Sequence, residues 1–293
     1  MPQILKNKNL ELHIDEPFEY YNFSRFDWTG KIRIVKFQNI PLSSIERTDN
    51  MDQKTIGKGF YNEFGIDAAL GFEAAKIGDW FHKIGIGLLK KTGSTYSFMK
   101  KYEIRPADFT VKKALNKLII TCQSKLVNGY AYILTKTIEL QENSFSIHYL
   151  LENTGEKAIK TDEYVHNFMA FQQDDIGKDY VLKFPFDLQP ALFGETVNPE
   201  QKVIIGQKDI QFNGKLSEEF FFSNLTGHEK VTANWELQYL KPKIAIKEHG
   251  NFLTNKINLW GWKHVISPEL FYKINILPGQ SKEWTRRFEM YQL

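Results

Sequence analysis

Two-residue alternation through the middle of the chain limits the fold more than any other feature. Between residues 100 and 171, apolar and polar side chains trade places along six segments: 101–104, 109–113, 117–124, 131–140, 144–152 and 159–171. Side chains of a strand point alternately to its two faces, so this pattern predicts strands with one face in a core. In SFSIHYLLE, Phe145, Ile147, Tyr149 and Leu151 share one face. The breaks carry RPAD, VNGY, QENS and NTGE, residues that favour turns through preset or left-handed backbone angles and local side-chain bonds. KIRIVKF, near the N-terminus, sets Ile32 and Ile34 against charged neighbours, and further alternating runs continue to EWTRRFEMYQL. Two stretches, 42–52 and 198–203, read as short helices.

Composition supports the same reading. The chain has 23 Phe, 13 Tyr and 6 Trp, and aromatic residues fit a pleated, half-buried surface better than a helix. Its 293 residues show no linker, repeat or low-complexity break, so one domain spanning 1–293 is expected. Many antiparallel strands with short loops imply packed sheets. The predicted class is all-β, a large antiparallel β-sandwich with few short helices.

Several function classes drop out. The formal charge is +3 with no long basic run, which gives no argument for nucleic acid or an anionic membrane. A single cysteine, Cys122, cannot form an internal disulfide, and no apolar stretch reaches the length of a signal or membrane segment, so a cytoplasmic protein is expected. GIGLLK lacks the third glycine of a dinucleotide-binding fingerprint, and no phosphate-binding P-loop, H-E-x-x-H or C-x-x-C occurs. The seven histidines show no zinc spacing.

Four segments remain: GKGFYNEFG with Glu63, GDWFHKIGIGLLKK with His82 and Lys83, EYVHNFMAF with His166 and Asn167, and WGWKHVISPELFYKINILPGQSKEW with Glu269. Read without further context, His166 fits a buried histidine hydrogen-bonded to a neighbouring strand better than a functional one. Alternation puts Tyr164, His166 and Phe168 on one face of their strand, and Val165, Asn167 and Met169 on the other. Trp260 and Trp262 share a face and would offer a stacking platform if exposed.

Taken in order, these segments resemble the galactose mutarotase-like (aldose 1-epimerase-like) family, from about residue 57 to the C-terminus. The HNF of His166–Phe168 is similar to the family's H-x-[FY] on a central strand. Glu269 ahead of the Pro278-Gly279 turn is similar to its late glutamate. The chain departs from the family in having FHKIGIG for an LHGG-type loop, no arginine in GKGFYNEFG, and no evident second acidic ligand. These departures mark a divergent branch.

The resemblance implies a sugar bound on a concave sheet face, with His82 or Lys83 near it. It also implies anomerisation, in which His166 protonates the ring oxygen as Glu269 takes the proton of the C1 hydroxyl, with no metal or organic cofactor. Glu63, Tyr164, Asn167, Phe168 and Trp262 complete the expected sugar-binding set. The alternatives are a non-catalytic carbohydrate-binding protein and a hexose-6-phosphate 1-epimerase, the latter needing a cationic clamp for which Lys83, Lys90 and Arg105 are candidates. The expected partner is a small aldose or sugar phosphate.

Overall fold

A computed structural model describes residues 2–49 and 52–293. Among these residues, two 3-10 turns, Phe171–Gln173 and Pro190–Leu192, are the only helical elements, and strands dominate. The stretch 42–49 is irregular backbone with isolated bridges at Ser43 and Ile45 and bends at 46, 48 and 49, and residues 50 and 51 of that expected helix lie outside the described residues. The 198–203 stretch is a turn leading into the strand Val203–Ile205. The first run is held by backbone hydrogen bonds to neighbouring strands, and the second by local turn bonds at Asn198 and by Glu200, which accepts from Ser217 and Glu218 N; both override weak helical propensity.

Two large sheets carry the architecture. A ten-stranded antiparallel sheet holds Tyr132–Leu140, Ser144–Asn153, Ile244–Thr254 and Ser281–Gln292, and a seven-stranded sheet holds Lys31–Phe37, Phe60–Phe64, Ile159–Asn167 and Tyr272–Ile276. The expected alternation is visible in the ten-stranded sheet. Every second residue of Tyr132–Leu140 is buried, and Trp284, Arg286, Phe288 and Met290 do the same along Ser281–Gln292. Their apolar members meet the inner face of the seven-stranded sheet. Phe60, for example, packs edge-on against Phe145 and Phe288, which stack on each other at 4.8 Å. Burying each such ring contributes roughly 1.5–3 kcal/mol.

The outer face of the seven-stranded sheet is covered too. A four-stranded sheet (Thr196–Val197, Phe220–Phe222, Ile257–Trp262, Val265–Leu270) joins it where Met169 and Ile266 exchange backbone hydrogen bonds. A three-stranded sheet (Trp80–Lys83, Gly87–Lys90, Ile104–Pro106) covers another part, with its own aromatic core around Phe26, Tyr61, Phe72 and Phe81. Consequently all five residues of Phe60–Phe64 are buried, on both faces. The strand expected over 159–171 ends at Asn167, and that over 101–104 begins only at Ile104.

Candidate active site

The end of Ile159–Asn167 is where three of the sheets meet. The parity expected from the sequence holds: Tyr164, His166 and Phe168 line a cavity of about 590 Å³, while Val165 and Met169 enter the inter-sheet core. The hairpin of Ile257–Trp262 and Val265–Leu270 supplies the facing wall. Asn258 pairs in register with Glu269, and cross-strand partners project to the same side, so both line the cavity together with Trp260. The Met169–Ile266 bridge sets this hairpin beside the His166 strand.

His166 and Glu269 come into direct contact, Nδ1 to Oε1 at 2.9 Å. The other ring nitrogen, Nε2, lies 3.0 Å from Glu63 Oε2. The imidazole is 3% exposed and stands among the rings of Tyr164, Phe168 and Phe26. Nε2 is hydrogen-bonded to Glu63, whereas Nδ1 meets Glu269 as a close ion-pair contact, and a carboxylate at each nitrogen favours the imidazolium. Burial alone would push this histidine down, but Glu269 and Glu63 outweigh it and hold its pKa above the ordinary value.

Glu63 is the hub behind the ring. Its Oε2 accepts from Arg25 Nε at 3.0 Å and from the Tyr164 hydroxyl at 3.1 Å, and its Oε1 lies 3.3 Å from Lys83 Nζ. Burial works against the charge, yet Lys83, Arg25 and His166 keep the carboxyl well below the usual range. Arg25 continues the network to Glu46 at 2.6 Å, and its guanidinium lies between the rings of Phe26 and Phe98. Arg25 pairs with Glu46 and Glu63, Lys83 with Glu63, and the His166 ring lies between Glu63 and Glu269.

The remaining expected residues fall elsewhere. Lys83 is buried behind Glu63, also bonded to the Tyr96 hydroxyl and Gly65 O, so its ammonium faces protein rather than the cavity. His82 points the other way, packed edge-on to Tyr132 and away from the cavity lining. Asn167, as its parity requires, faces the inter-sheet core and donates to Glu248 and Pro268 O. Trp262 shares a strand face with Trp260 but lies past the cavity, where its Nε1 donates to Ser217 O at 2.8 Å. The phosphate clamp of Lys83, Lys90 and Arg105 does not form: Lys90 and Arg105 flank Trp80, and Lys90 pairs with Glu103.

Several cavity residues carried no recognisable signal. Arg25 and Glu46 come from irregular segments with no periodicity, and Glu63 reaches Arg25 across 38 positions of chain. Glu195, which lies in the chain between His166 and Glu269, lines the rim. Phe271 stacks on Tyr164 at 4.1 Å, and Lys256 covers its other neighbourhood at 4.2 Å from the ring. Trp260 and Phe221, paired in register, complete an aromatic wall. An oxygen-rich floor with flat apolar walls suits a polyhydroxylated ring, whose hydroxyls need partners and whose C–H faces need cover.

No family model and no curated protein matches the sequence. Solved structures do match along essentially the whole chain. A galactose mutarotase-like protein from Clostridium acetobutylicum is 11% identical with a TM-score of 0.62, covering 99% of this chain and 95% of its own. A galactose mutarotase related enzyme from Lactobacillus acidophilus is 9% identical with a TM-score of 0.59, covering 100% and 98%. A galactose mutarotase-like protein from Lactobacillus casei is 12% identical with a TM-score of 0.57, covering 99% and 100%. The chain therefore has the galactose mutarotase-like β-sandwich fold, in a sequence far diverged from these structures.

Proposed function

We propose that this protein interconverts the anomers of an aldose, with His166 as general acid and Glu269 as general base. The observation that carries the reading is the His166–Glu269 pair on the cavity floor, with Glu63 bonded to the far nitrogen of the ring. Opening a pyranose requires a proton on the ring oxygen and removal of one from the C1 hydroxyl. Both oxygens are attached to the same carbon, so their partners must stand side by side rather than across a wide hollow. A contact of 2.9 Å between acid and base is compatible with this, provided that it opens as the sugar enters. Nδ1–H would then turn to the ring oxygen and Glu269 Oε1 to the C1 hydroxyl. Reclosure on the other face of C1 returns both protons, so the pair ends in its starting state. Glu63 stays behind the ring throughout and keeps the imidazolium the favoured form.

Anomer exchange measured by NMR on freshly dissolved aldoses tests this. His166→Ala and Glu269→Gln should each reduce the catalysed rate by roughly 10²–10⁴-fold, the usual worth of one acid or base. Unchanged rates in both variants would remove the mechanism. Saturable sugar binding by the wild type with no rate enhancement would make the protein a carbohydrate-binding module instead.

A further inference from the structure

A second cavity of about 560 Å³ lies back to back with the first, across the segment 43–48. Ser43, Ser44, Ile45 and Thr48 line it, whereas Glu46 and Arg47 line the other side. Its remaining walls are Tyr20, Arg33, Ile34, Lys58, Gln173 and His264. No acidic residue is among these, and the one carboxylate among the described residues that touches a lining cation, Asp15 on Arg33, stands behind the wall.

Its donors are prearranged and largely unspent. The Arg33 guanidinium is held from behind, its Nε 3.0 Å from Asp15 Oδ1 and its face 4.3 Å from the Tyr20 ring. Among the described residues its two Nη atoms have no hydrogen-bond partner, and neither does Lys58 Nζ. Ser43 Oγ accepts from Val35 N, which leaves its own hydrogen to give. His264 spends its donor on Ile45 O, from Nε2 at 3.1 Å, so its buried, unpartnered Nδ1 is an acceptor and adds nothing to the donor set. The strand itself is shaped for this. A register shift opposite His13 and Ile14 interrupts the expected Ile32/Ile34 alternation, so the neighbours Arg33 and Ile34 both reach the cavity. Burial and the nearby Arg33 push the Lys58 ammonium below its ordinary pKa, and Asp15 offsets only part of this.

We propose that this second cavity binds the oxyanion of a small molecule, a phosphate or a carboxylate, between the Arg33 fork and Lys58. A planar guanidinium edge and a point-charge ammonium converging on one hollow suit such a group. The cavity volume leaves room for the body of the molecule against Ile34, Ile45 and the Tyr20 ring.

Calorimetric titration of the full chain with inorganic phosphate and, separately, with acetate tests the assignment, against sodium chloride at equal ionic strength. One of the two anions should bind saturably, and Lys58→Met should weaken it roughly tenfold or more, as expected on losing a charged hydrogen bond. Lys58→Arg should retain binding. Lys256→Met, in the first cavity, should leave it unchanged. Tighter binding of phosphate identifies a phosphorylated ligand, and of acetate a carboxylated one. Lys58→Met should also raise the melting temperature in chloride, because it removes an unneutralised charge, so lost binding would not reflect lost folding. No binding beyond chloride, or binding lost in Lys256→Met and kept in Lys58→Met, overturns the proposal.

Discussion

The two faces of Ile159–Asn167 carry the same residue types to opposite ends. Outward, Tyr164 and His166 join Glu63 of the neighbouring strand, Arg25 and Glu269. Inward, Glu163 and Asn167 join Asn62 of that same neighbour, Arg286 and Glu248. The charged members of the inward group are all partnered, and Asn167 Oδ1 is the one atom of the group left buried without a hydrogen bond among the described residues. Arg286 gives Nε and Nη2 to Glu163, Nη1 to Glu248 at 2.6 Å, and Nη2 also to Leu270 O. Glu163 additionally accepts from Trp284 Nε1 and Asn62, and Glu248 from Trp235 Nε1 and Asn167. The outward group is built with one valence to spare, since Glu269 and the edge of the imidazole reach the cavity. What separates structural from chemical charge here is whether the last partner is protein or empty space, not burial, which is nearly complete on both sides.

Breaking the inward side should show the largest effect. Arg286 ties two carboxylates on different sheets, and removing one partner of a buried pair leaves uncompensated charge. Arg286→Met is expected to lower the unfolding free energy by about 3–5 kcal/mol, a large share of the total for an ordinary domain. Urea denaturation followed by tryptophan fluorescence would read this. A loss below about 1 kcal/mol would mean that the inner network is an ornament of the fold, and the contrast between the faces would collapse.

Glu63 sharpens the contrast from the outward side, because it touches His166 without lining the cavity. Its charge favours imidazolium, so removing that charge lowers the His166 pKa. If the protonated ring is the working acid, Glu63→Gln should move the alkaline limb of the anomerisation rate to lower pH. The rate at pH 7 should fall at least roughly 10–100-fold, the cost of losing the carboxylate behind a metal-bound histidine. A slower enzyme with an unmoved pH profile would reduce Glu63 to a packing role.

The strand pattern and the face of His166 were readable because alternation needs only one covered face to leave its trace. The same reading failed where both faces are covered. Glu63 and Lys83 sit in strands whose polar side chains look solvated in a linear pattern and are sealed in the folded chain. Arg25 was invisible for another reason: its place follows from contacts with Glu63, Glu46 and Phe98, none of them near it in sequence, and no spacing rule encodes that. The anticipated helix over 42–52 concealed the wall between two cavities. Its bonds run to Val35, Gly57 and Phe168, which local propensity does not report.

His82 and His166 give the finest test of the comparison, since both are buried histidines and only one has carboxylates beside it. Neither nitrogen of His82 makes a hydrogen bond among the described residues. Burial lowers its pKa to about 4, with the nearby Val127 and Tyr130 backbone offsetting only part of that. The two rings therefore push pH stability in opposite directions. His166 has a raised folded pKa, so its contribution is complete below the ordinary histidine value of 6.5 and fades as pH rises through the folded value. His82 has a depressed one, so between 6.5 and about 4 the unfolded chain takes up a proton that the folded chain refuses, and stability falls as pH falls. His82→Leu should remove that loss. Its unfolding free energy between pH 7 and pH 5 should decline by about 1–2 kcal/mol less than that of the wild type. Identical pH slopes would mean that His82 titrates in the fold as it does in the unfolded chain, and burial without a carboxylate partner would then not set it apart from His166.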